Sequence, residues 1–187
     1  GSDSIKGSSD NNRLEGRAGF DTIDAGDGDD TLVGGADKDR LSGGQGSDLI
    51  YYDAADAGET VDGGSDSGTD SSDDTLAISD WQVDFTGSSL PTLKNFEVID
   101  LERIGGGISN TVVLNAAKLI AMTDSRKTLR IEGQVGDVVL FTNSDTWTSS
   151  TTSINGITYK TYTNADTTVG GVVHVDPDIT VDALRPG

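Results

Sequence analysis

The stretch that decides the fold is GRAGFDTIDAGDGDDTLVGGADKDRLSGGQGSDLI, residues 16–50. Within it, one large aliphatic residue recurs every nine positions among glycines and aspartates. The same spacing holds back to the first residues, and the repeat reads G-G-x-G-x-D-x-U-x, with U a large aliphatic residue. The aliphatic positions in phase are Ile5, Leu14, Ile23, Leu32, Leu41 and Ile50. A repeat of fixed, short period is typical of solenoid folds.

An acidic or amide residue stands two positions before each aliphatic one: Asp3, Asn12, Asp21, Asp30, Asp39 and Asp48. The segment x-U-x is too short for an ordinary strand, but it can form one rung of a stacked coil with U pointing inward. The Gly- and Asp-rich residues then make the turn. Two units complete one coil, so alternate units stack about 4.8 Å apart, as strands of one sheet do. This predicts a parallel β-roll, with Asp3, Asp21 and Asp39 on one edge and Asn12, Asp30 and Asp48 on the other.

The charge of the chain is strongly negative and unevenly distributed. The net charge is -19, and 27 of the 32 acids are Asp. Residues 1–84 carry 21 acids and five bases, whereas residues 85–187 carry 11 and eight. Nucleic-acid binding depends on Lys and Arg, so this balance argues against nucleic acid and against an anionic membrane surface. No apolar stretch approaches the roughly 20 residues of a membrane span, and no N-terminal secretory signal is seen.

The stacked carboxylates require a neutralising partner, because like charges repel. The chain has no cysteine, which excludes thiolate sites, and an all-oxygen shell at about 2.3–2.6 Å favours Ca²⁺ over Mg²⁺. Pairing each unit with the next but one predicts four sites, formed by Asp3 with Asp21, Asn12 with Asp30, Asp21 with Asp39, and Asp30 with Asp48. Main-chain carbonyls of the turns would complete the shells, from Gly16, Ala18, Gly19, Gly28, Gly34, Ala36, Asp37, Gly43, Gln45 and Gly46.

The energetics make folding of this segment conditional on the cation. Each buried aliphatic side chain contributes on the order of 1.5–3 kcal/mol, whereas ordering each residue of a nine-residue unit costs roughly 1–2 kcal/mol. Metal binding then becomes folding free energy. The alternative is intrinsic disorder, which the acidic, Gly-rich composition of residues 1–75 also permits, above all without a cation.

The period breaks after Ile50, and residues 51–75 keep only fragments of the repeat. Asp73-Asp74-Thr75-Leu76 is interpreted as one more D-x-U rung of a capping coil with a longer, irregular loop. A fifth or sixth cation is possible there, so the predicted count is about four to six Ca²⁺. Ser/Asp-rich loops are equally often just solvated. The candidate ligands are Asp62, Asp66, Asp70, Asp73 and Asp74.

Residues 76–187 have ordinary globular composition and predict a mainly β C-terminal domain that continues the roll and covers its exposed edge. Asn155-Gly156 is a strong type I′ hairpin signal, and Asn115 is a candidate N-cap for one short helix in AAKLIAMTD. The β-branched and aromatic runs are WQVDFTG, NFEVIDLE, NTVVLN, TLRIEG, DVVLFTN, GITYKTYT, TTVGGVVHVD and DITVDA. The fold class is therefore all-β, with a roll over residues 1–75 and a capping domain over 76–187.

No catalytic constellation is recognisable, and we expect no enzyme activity. His174 is the single histidine, and in a β-rich stretch it is expected to pack or to lie at the surface. No G-x-S-x-G nucleophile motif occurs. Four aromatic residues can be interpreted as a sugar-binding platform or, with more weight, as hydrophobic core: Trp81, Trp147, Tyr159 and Tyr162.

Residues 1–50 resemble RTX repeats. Residues 93–143 and 154–169, which include TLRIEGQVGD and INGITYKTYTN, resemble the C-terminal region of giant RTX adhesins of Gram-negative bacteria, of the ice-binding and biofilm type. Asn12 departs from the Asp of that family, which should weaken the site shared with Asp30. Asp10 and Asp37 stand at Gly positions, where only main-chain carbonyls would serve.

The resemblance implies a secreted, extracellular or cell-surface protein whose C-terminal region is an uncleaved type I secretion signal. The implied partners are the secretion apparatus, with its ABC transporter and membrane fusion protein, and the rest of the adhesin chain. No membrane insertion is implied, and we expect a monomer. The segment would stay unfolded in low-calcium cytosol and fold outside on binding Ca²⁺. Two alternatives stay open: a glycan- or surface-binding adhesion module, and the C-terminal domain of a secreted RTX protease or lipase.

Overall fold

The structure is a computed structural model, and it describes residues 1–52, 60–65, 72–78, 82–86, 92–101, 109–124, 127–142, 147–165 and 170–183. The first seven strands are β1 (Ser4–Lys6), β2 (Arg13–Ala18), β3 (Thr22–Asp27), β4 (Thr31–Ala36), β5 (Arg40–Gln45), β6 (Leu49–Tyr52) and β7 (Thr60–Gly64). The next five are β8 (Thr75–Ile78), β9 (Gln82–Asp84), β10 (Thr92–Lys94), β11 (Val98–Asp100) and β12 (Thr111–Leu114). Helix α1 (Ala116–Met122) is followed by β13 (Thr128–Glu132), β14 (Val138–Phe141), β15 (Trp147–Ile154), β16 (Ile157–Asn164), β17 (Val172–Val175) and β18 (Thr180–Ala183).

The first six strands form the predicted parallel roll. Strands β1, β3 and β5 stack in one sheet and β2, β4 and β6 in a second. Ile5 pairs with Ile23, and Leu14 with Leu32, so the register is one coil of two nonapeptides. Chain repetition alone dictates this stacking, because equivalent residues of alternate units face the same neighbours. The all-β prediction with a parallel roll is confirmed.

The strands of the roll are longer than the three-residue rung that the repeat suggested. In β3 and β5 the pairing runs from Thr22–Arg40 to Asp24–Ser42, and resumes at Gly26–Gly44 and Asp27–Gln45. The glycine-rich part of each unit therefore belongs largely to a strand, and only about three residues turn the corner. The expectation that all of the Gly- and Asp-rich residues form the turn was wrong, because glycine also suits extended backbone packed closely against a neighbouring coil.

Beyond the roll, the chain continues as wider, three-sided coils. The second sheet runs without interruption through nine strands in the order β15-β16-β17-β13-β11-β8-β6-β4-β2, whereas the first ends at β10. A third sheet, β18-β14-β12-β9, begins with the coil that contains β7 and β8. Three sides enclose a broader interior than two, which is where the large side chains Phe85 and Phe96 are fully buried.

Helix α1 lies beside β10, where the next strand of the first sheet would otherwise lie. It begins at Asn115, whose side chain accepts a hydrogen bond from the backbone N–H of Lys118 at 2.8 Å, so the predicted N-cap is confirmed. Leu119 and Met122 are its buried contacts with the core. The helix thus ends the first sheet without leaving a free edge on that side.

The hairpin β15–β16 extends the second sheet. Asn155 and Gly156 form its turn with φ values of 49° and 86°, the left-handed pair that a type I′ turn requires. The strands pair antiparallel from Trp147–Asn164 to Ile154–Ile157. This hairpin prediction is confirmed.

One continuous hydrophobic core joins the roll to the C-terminal region, from Ile23 to Ile179. In the first coil, Ile5 and Leu14 are only partly buried, whereas the equivalent residues of later coils are fully buried. The division at residues 75 and 76 stays a prediction, since the second sheet and the core both cross that position. Each of the eight β-rich runs contains a strand, but β10 and the Thr/Ser-rich β15 were not among them.

Candidate metal sites in the turns

A ladder of aspartate side chains connects neighbouring coils. The Oδ1 atom of each aspartate accepts a hydrogen bond from the backbone N–H eighteen residues earlier. The N···Oδ1 distances are 2.6 Å for Asp3–Asp21, 2.7 Å for Asn12–Asp30, 2.8 Å for Asp21–Asp39 and 2.8 Å for Asp30–Asp48. The residues that the repeat pairs across adjacent coils are therefore neighbours in space.

The second carboxylate oxygen of these aspartates lies inside the turn. Asp21 and Asp30 are 2% and 1% exposed, and their Oδ2 atoms are buried without a hydrogen-bond partner among the described residues. Burial raises the pKa of Asp30, the hydrogen bond from Asn12 opposes this, and the nearby Asp29 adds to it. An ionised carboxylate buried with one oxygen unsatisfied is costly. The turns therefore require a positive partner.

A main-chain carbonyl of the next coil converges on the same point. A methyl group placed on Gly16 would lie within 3.0 Å of both Asp21 Oδ2 and the Gly34 carbonyl oxygen. A methyl group on Gly43 would meet Asp48 Oδ2 and the Gly63 carbonyl oxygen in the same way. Each of these glycines is therefore in close contact with two oxygens, an aspartate Oδ2 of its own turn and a carbonyl oxygen of the neighbouring coil.

This donor set fits calcium. Among the described residues, no three His, Cys, Asp or Glu side chains converge where a metal could be held, so any shell must take much of its oxygen from the main chain. Carboxylate and carbonyl oxygens in a flexible shell are what Ca²⁺ accepts. When bound, the ion would supply the positive charge that the buried carboxylates lack.

The residues predicted to offer carbonyls lie in or beside these turns. Asp37 has φ 80°, a conformation in which glycine is usual, and so adopts the geometry of the glycine it replaces. Three of the predicted carbonyls already accept one coil-to-coil hydrogen bond, namely Ala18 from Gly1, Ala36 from Gly19 and Gln45 from Gly28. A carbonyl oxygen has a second lone pair, so these bonds leave the predicted role possible. Of the other six predicted carbonyls, those of Gly19, Gly28 and Gly46 belong to glycines with positive φ, and those of Gly16, Gly34 and Gly43 lie in strands β2, β4 and β5.

Asn12 makes its turn differently from the aspartates. Its Oδ1 accepts the backbone N–H of Ser8 at 2.7 Å, and its Nδ2 lies 3.2 Å from Ser8 Oγ. The side chain therefore satisfies its own turn and carries no charge. That Asn12 weakens the site it shares with Asp30 stays a prediction.

Of the later acids predicted as ligands, Asp74 continues the ladder, with Oδ1 2.8 Å from the Asp48 nitrogen. Asp62 contacts Asn95 Nδ2 at 2.7 Å and Lys94 Nζ at 3.7 Å. Asp73 pairs with Arg130 at 3.0 Å. Both carboxylates thus have protein partners. Asp66 and Asp70 lie outside the described residues.

The ladder runs one step further, through a residue that sequence reasoning missed. Glu97 Oε2 accepts the backbone N–H of Asp74 at 3.0 Å, and Glu97 is 5% exposed. The sequence does contain a pattern that could have predicted this role: Glu97-Val98-Ile99 is the acid-x-aliphatic rung of the repeat, with Glu in place of Asp. The Asn95 carbonyl oxygen lies against Gly63 as the Gly63 carbonyl oxygen lies against Gly43, so the carbonyl contacts of the turns also continue into this coil.

The aromatic residues and the histidine divide between core and surface. Tyr159 is buried, and its hydroxyl donates to Glu132 at 2.9 Å; burial together with Glu132 raises its pKa to about 12. Trp147 and Tyr162 are half-buried against the core. His174 is half-buried, with Nδ1 3.0 Å from Thr161 Oγ1. Trp81 lies outside the described residues.

Comparison with known families identifies the N-terminal segment. The RTX calcium-binding nonapeptide repeat (4 copies) matches residues 1–32 and again residues 24–56. The N-terminal 56 residues are therefore RTX repeats, which bind calcium and are characteristic of type I secreted proteins. No curated protein matches the chain. Within the described ranges, no helix has the length and apolar character needed to cross a bilayer.

Proposed function

We propose that this chain is a calcium-dependent folding and type I secretion module of a large extracellular adhesin, without catalytic activity of its own. The observation that carries the proposal is the pair of buried carboxylates, Asp21 and Asp30, whose inner oxygens have no hydrogen-bond partner in the described residues. They disfavour the folded roll unless a cation is bound. The RTX repeats add support, because they imply calcium binding and a secreted protein.

The module acts as a switch because its charge opposes its fold. Residues 1–84 carry 21 acids against five bases, so at sub-micromolar calcium the unfolded, extended chain is favoured. Such a chain can be threaded through a transporter. Sites of about 10⁻⁴–10⁻³ M, typical of extracellular calcium modules, are empty in the cytosol and filled outside the cell. Folding after export would also oppose movement back through the channel.

Circular dichroism of the purified chain tests the folding part of the proposal. Adding Ca²⁺ is expected to increase the β signal with a midpoint in the millimolar range or just below, and a chelator should reverse it. A matched titration with Mg²⁺ is the control, and it should have little effect, since Mg²⁺ gives up its waters reluctantly. A spectrum that does not respond to either ion would remove the switch.

Export of a passenger protein fused ahead of the chain tests the secretion part. In a host that expresses a type I apparatus, the whole chain should export the passenger, and a version ending at residue 75 should not. A calcium response without export would retain the folding switch and remove the secretion role. Export by residues 1–75 alone would place the signal in the roll, against the proposal.

A further inference from the structure

A cavity of about 250 Å³ lies where the hairpin meets the third sheet, far along the chain from the RTX repeats. It is lined by Phe141 of β14, Trp147 and Ser149 of β15, Tyr162 of β16, and Val181 and Asp182 of β18. Its size is just below the roughly 300–1,000 Å³ of pockets for drug-sized ligands. We propose that this aromatic pocket binds one ring of a neutral sugar.

The aromatic side chains of the pocket pack against Phe141. Phe141 is 4% exposed, and the Trp147 ring stacks on it with centroids 4.8 Å apart and planes at 30°. The Tyr162 ring lies 5.2 Å from Phe141 at 48°. Because both half-buried rings contact the buried Phe141, their orientation is held by the core. The indole of Trp147 is a flat apolar ring of the kind that matches the C–H face of a pyranose ring.

Two exposed polar residues are among those that line the pocket. Ser149 and Asp182 are both exposed, and Tyr162 contributes a phenol whose pKa is raised by burial, so it stays a neutral donor. A hydroxyl and a carboxylate beside an apolar face suit a ligand that has hydroxyls around its rim. A purely apolar ligand would gain nothing from them, and a small apolar pocket with few convergent polar groups is the usual form of a ligand site.

Charge and ring geometry select a neutral ligand. The chain carries a net charge of -19, and no Lys or Arg is among the described residues of the pocket, so an anionic ligand is repelled. An organic cation is best held by rings that face it from several sides, whereas Phe141 and Trp147 stack on each other. Lys160, two residues before Tyr162 and so on the same face of β16, donates to the Ile179 carbonyl at 3.0 Å, so its ammonium is bound to the main chain and is not one of the lining groups.

The test uses the full chain folded in calcium. A neutral-glycan array identifies binders, and saturation-transfer NMR with D-glucose and D-galactose measures direct ring contact, with choline as the cationic probe. Binding of a neutral sugar is expected, with Trp147→Ala weakening it at least tenfold through lost stacking. Ser149→Ala and Asp182→Ala each remove one hydrogen-bonding group, for an expected loss of about two- to tenfold.

The controls lie on the same strands or nearby, outside the pocket. Thr151→Ala changes an exposed residue on the Ser149 face of β15, and Asp178→Ala removes an exposed acid before β18; both should leave binding unchanged. If Trp147→Ala disturbs the fold, the two exposed pocket variants still decide the question. Absence of any neutral-sugar binding, binding of choline alone, or equal losses in pocket and control variants would each overturn the proposal.

Discussion

The roll and the C-terminal region share a turn in which an aspartate Oδ1 accepts a backbone N–H, but they differ in what the second carboxylate oxygen contacts. In the roll, Asp30 Oδ1 accepts a neighbouring coil's N–H at 2.7 Å and its Oδ2 is buried without a hydrogen-bond partner in the described residues. In the C-terminal region, Asp137 Oδ1 accepts the Asn110 N–H at 2.8 Å, and its Oδ2 accepts the Gln134 N–H at 2.8 Å. One carboxylate needs a cation, and the other is satisfied by its own turn. We therefore expect the same coil geometry to be calcium-dependent in the roll and calcium-independent in the C-terminal region.

The hydrophobic interiors of the two regions also differ, in the size of the side chains that they bury. Each rung of the roll contributes one large aliphatic residue, such as Leu32 and Leu41, and Tyr52 adds a buried aromatic ring at the end of its last strand, β6. The wider coils bury Phe85, Phe96 and Leu101, and aromatic side chains remove far more surface from water than a single aliphatic one. We therefore expect hydrophobic burial to support the C-terminal region without metal, and the roll to depend on charge neutralisation.

Calcium removal should give the largest difference between the two regions. Hydrogen exchange in calcium and in chelator is the measurement. Backbone amides of β2–β6 should lose most of their protection in chelator, because the buried carboxylates then repel. Amides of β12 and β14 should keep more protection. Equal loss in both regions would mean that the molecule folds as one calcium-dependent unit, and the contrast between their interiors would have no thermodynamic consequence.

Removing one carboxylate from each region sharpens the comparison. Asp137→Ala leaves two backbone N–H groups without their acceptor, which costs about 1–3 kcal/mol each, and the loss in the free energy of unfolding should be the same with or without calcium. Asp21→Ala should instead raise the calcium midpoint, because it removes a ligand from two of the predicted sites. Chemical denaturation at several calcium concentrations measures both effects.

Asn12→Ala is the matched control for Asp21→Ala. Asn12 belongs to one predicted site and its oxygen already accepts the Ser8 N–H, so the midpoint should move less. Equal shifts for the two variants would contradict the pairing of each unit with the next but one. A calcium-dependent loss for Asp137→Ala would show that its turn is not self-sufficient.

Much of the roll was predictable because its information is local and repeated. The period of nine places Ile23 against Leu41, and Asp21 beside Asp39, without reference to any other part of the chain. The hairpin turn and the helix N-cap at Asn115 were predictable for the same reason, since each depends on one or two residues with specific backbone preferences.

The unpredicted features depend on distant partners. Strand β15 is rich in Thr and Ser, and only its pairing with β16 makes it a strand. Glu97 joins the ladder because Asp74 lies 23 residues earlier, a spacing set by loop lengths rather than by a period. The self-satisfied turn of Asp137 is also invisible in sequence, because an aspartate beside glycine looks the same whether a cation or a backbone N–H completes it.

Acid should affect the two regions with opposite sign when calcium is absent. Burial raises the pKa of Asp30 above its ordinary 3.8, so the folded roll binds more protons than the unfolded chain, and stability rises as pH falls through that raised value. Burial and Arg130 lower the pKa of His174 below 6.5. The unfolded state then binds more protons below pH 6.5, and stability of the C-terminal region falls.

Hydrogen exchange in chelator at about pH 7 and about pH 4.5, corrected for intrinsic rates, measures both trends. Asp30→Asn should reduce the acid-induced gain in β2–β6, and His174→Gln should reduce the loss in β16 and β17. A gain in both regions, or a loss in both, would show that other groups dominate the titration. The two variants should not affect each other's region.

Backbone strain at one position of the roll should give the smallest effect. Arg17 has φ 81° and follows Gly16 where the later units have Gly35 and Gly44, with φ of 112° and 123°. The left-handed backbone conformation costs a non-glycine residue about 1–2 kcal/mol, and the larger conformational entropy that glycine loses on folding partly offsets this difference. Arg17→Gly should therefore stabilise the calcium-bound chain by roughly 0.5–1 kcal/mol. Arg13→Gly is the control, because Arg13 is exposed on the same strand and has an ordinary φ; this variant should destabilise the roll. A gain in stability for both variants would mean that the removal of positive charge, and not backbone strain, decides the result.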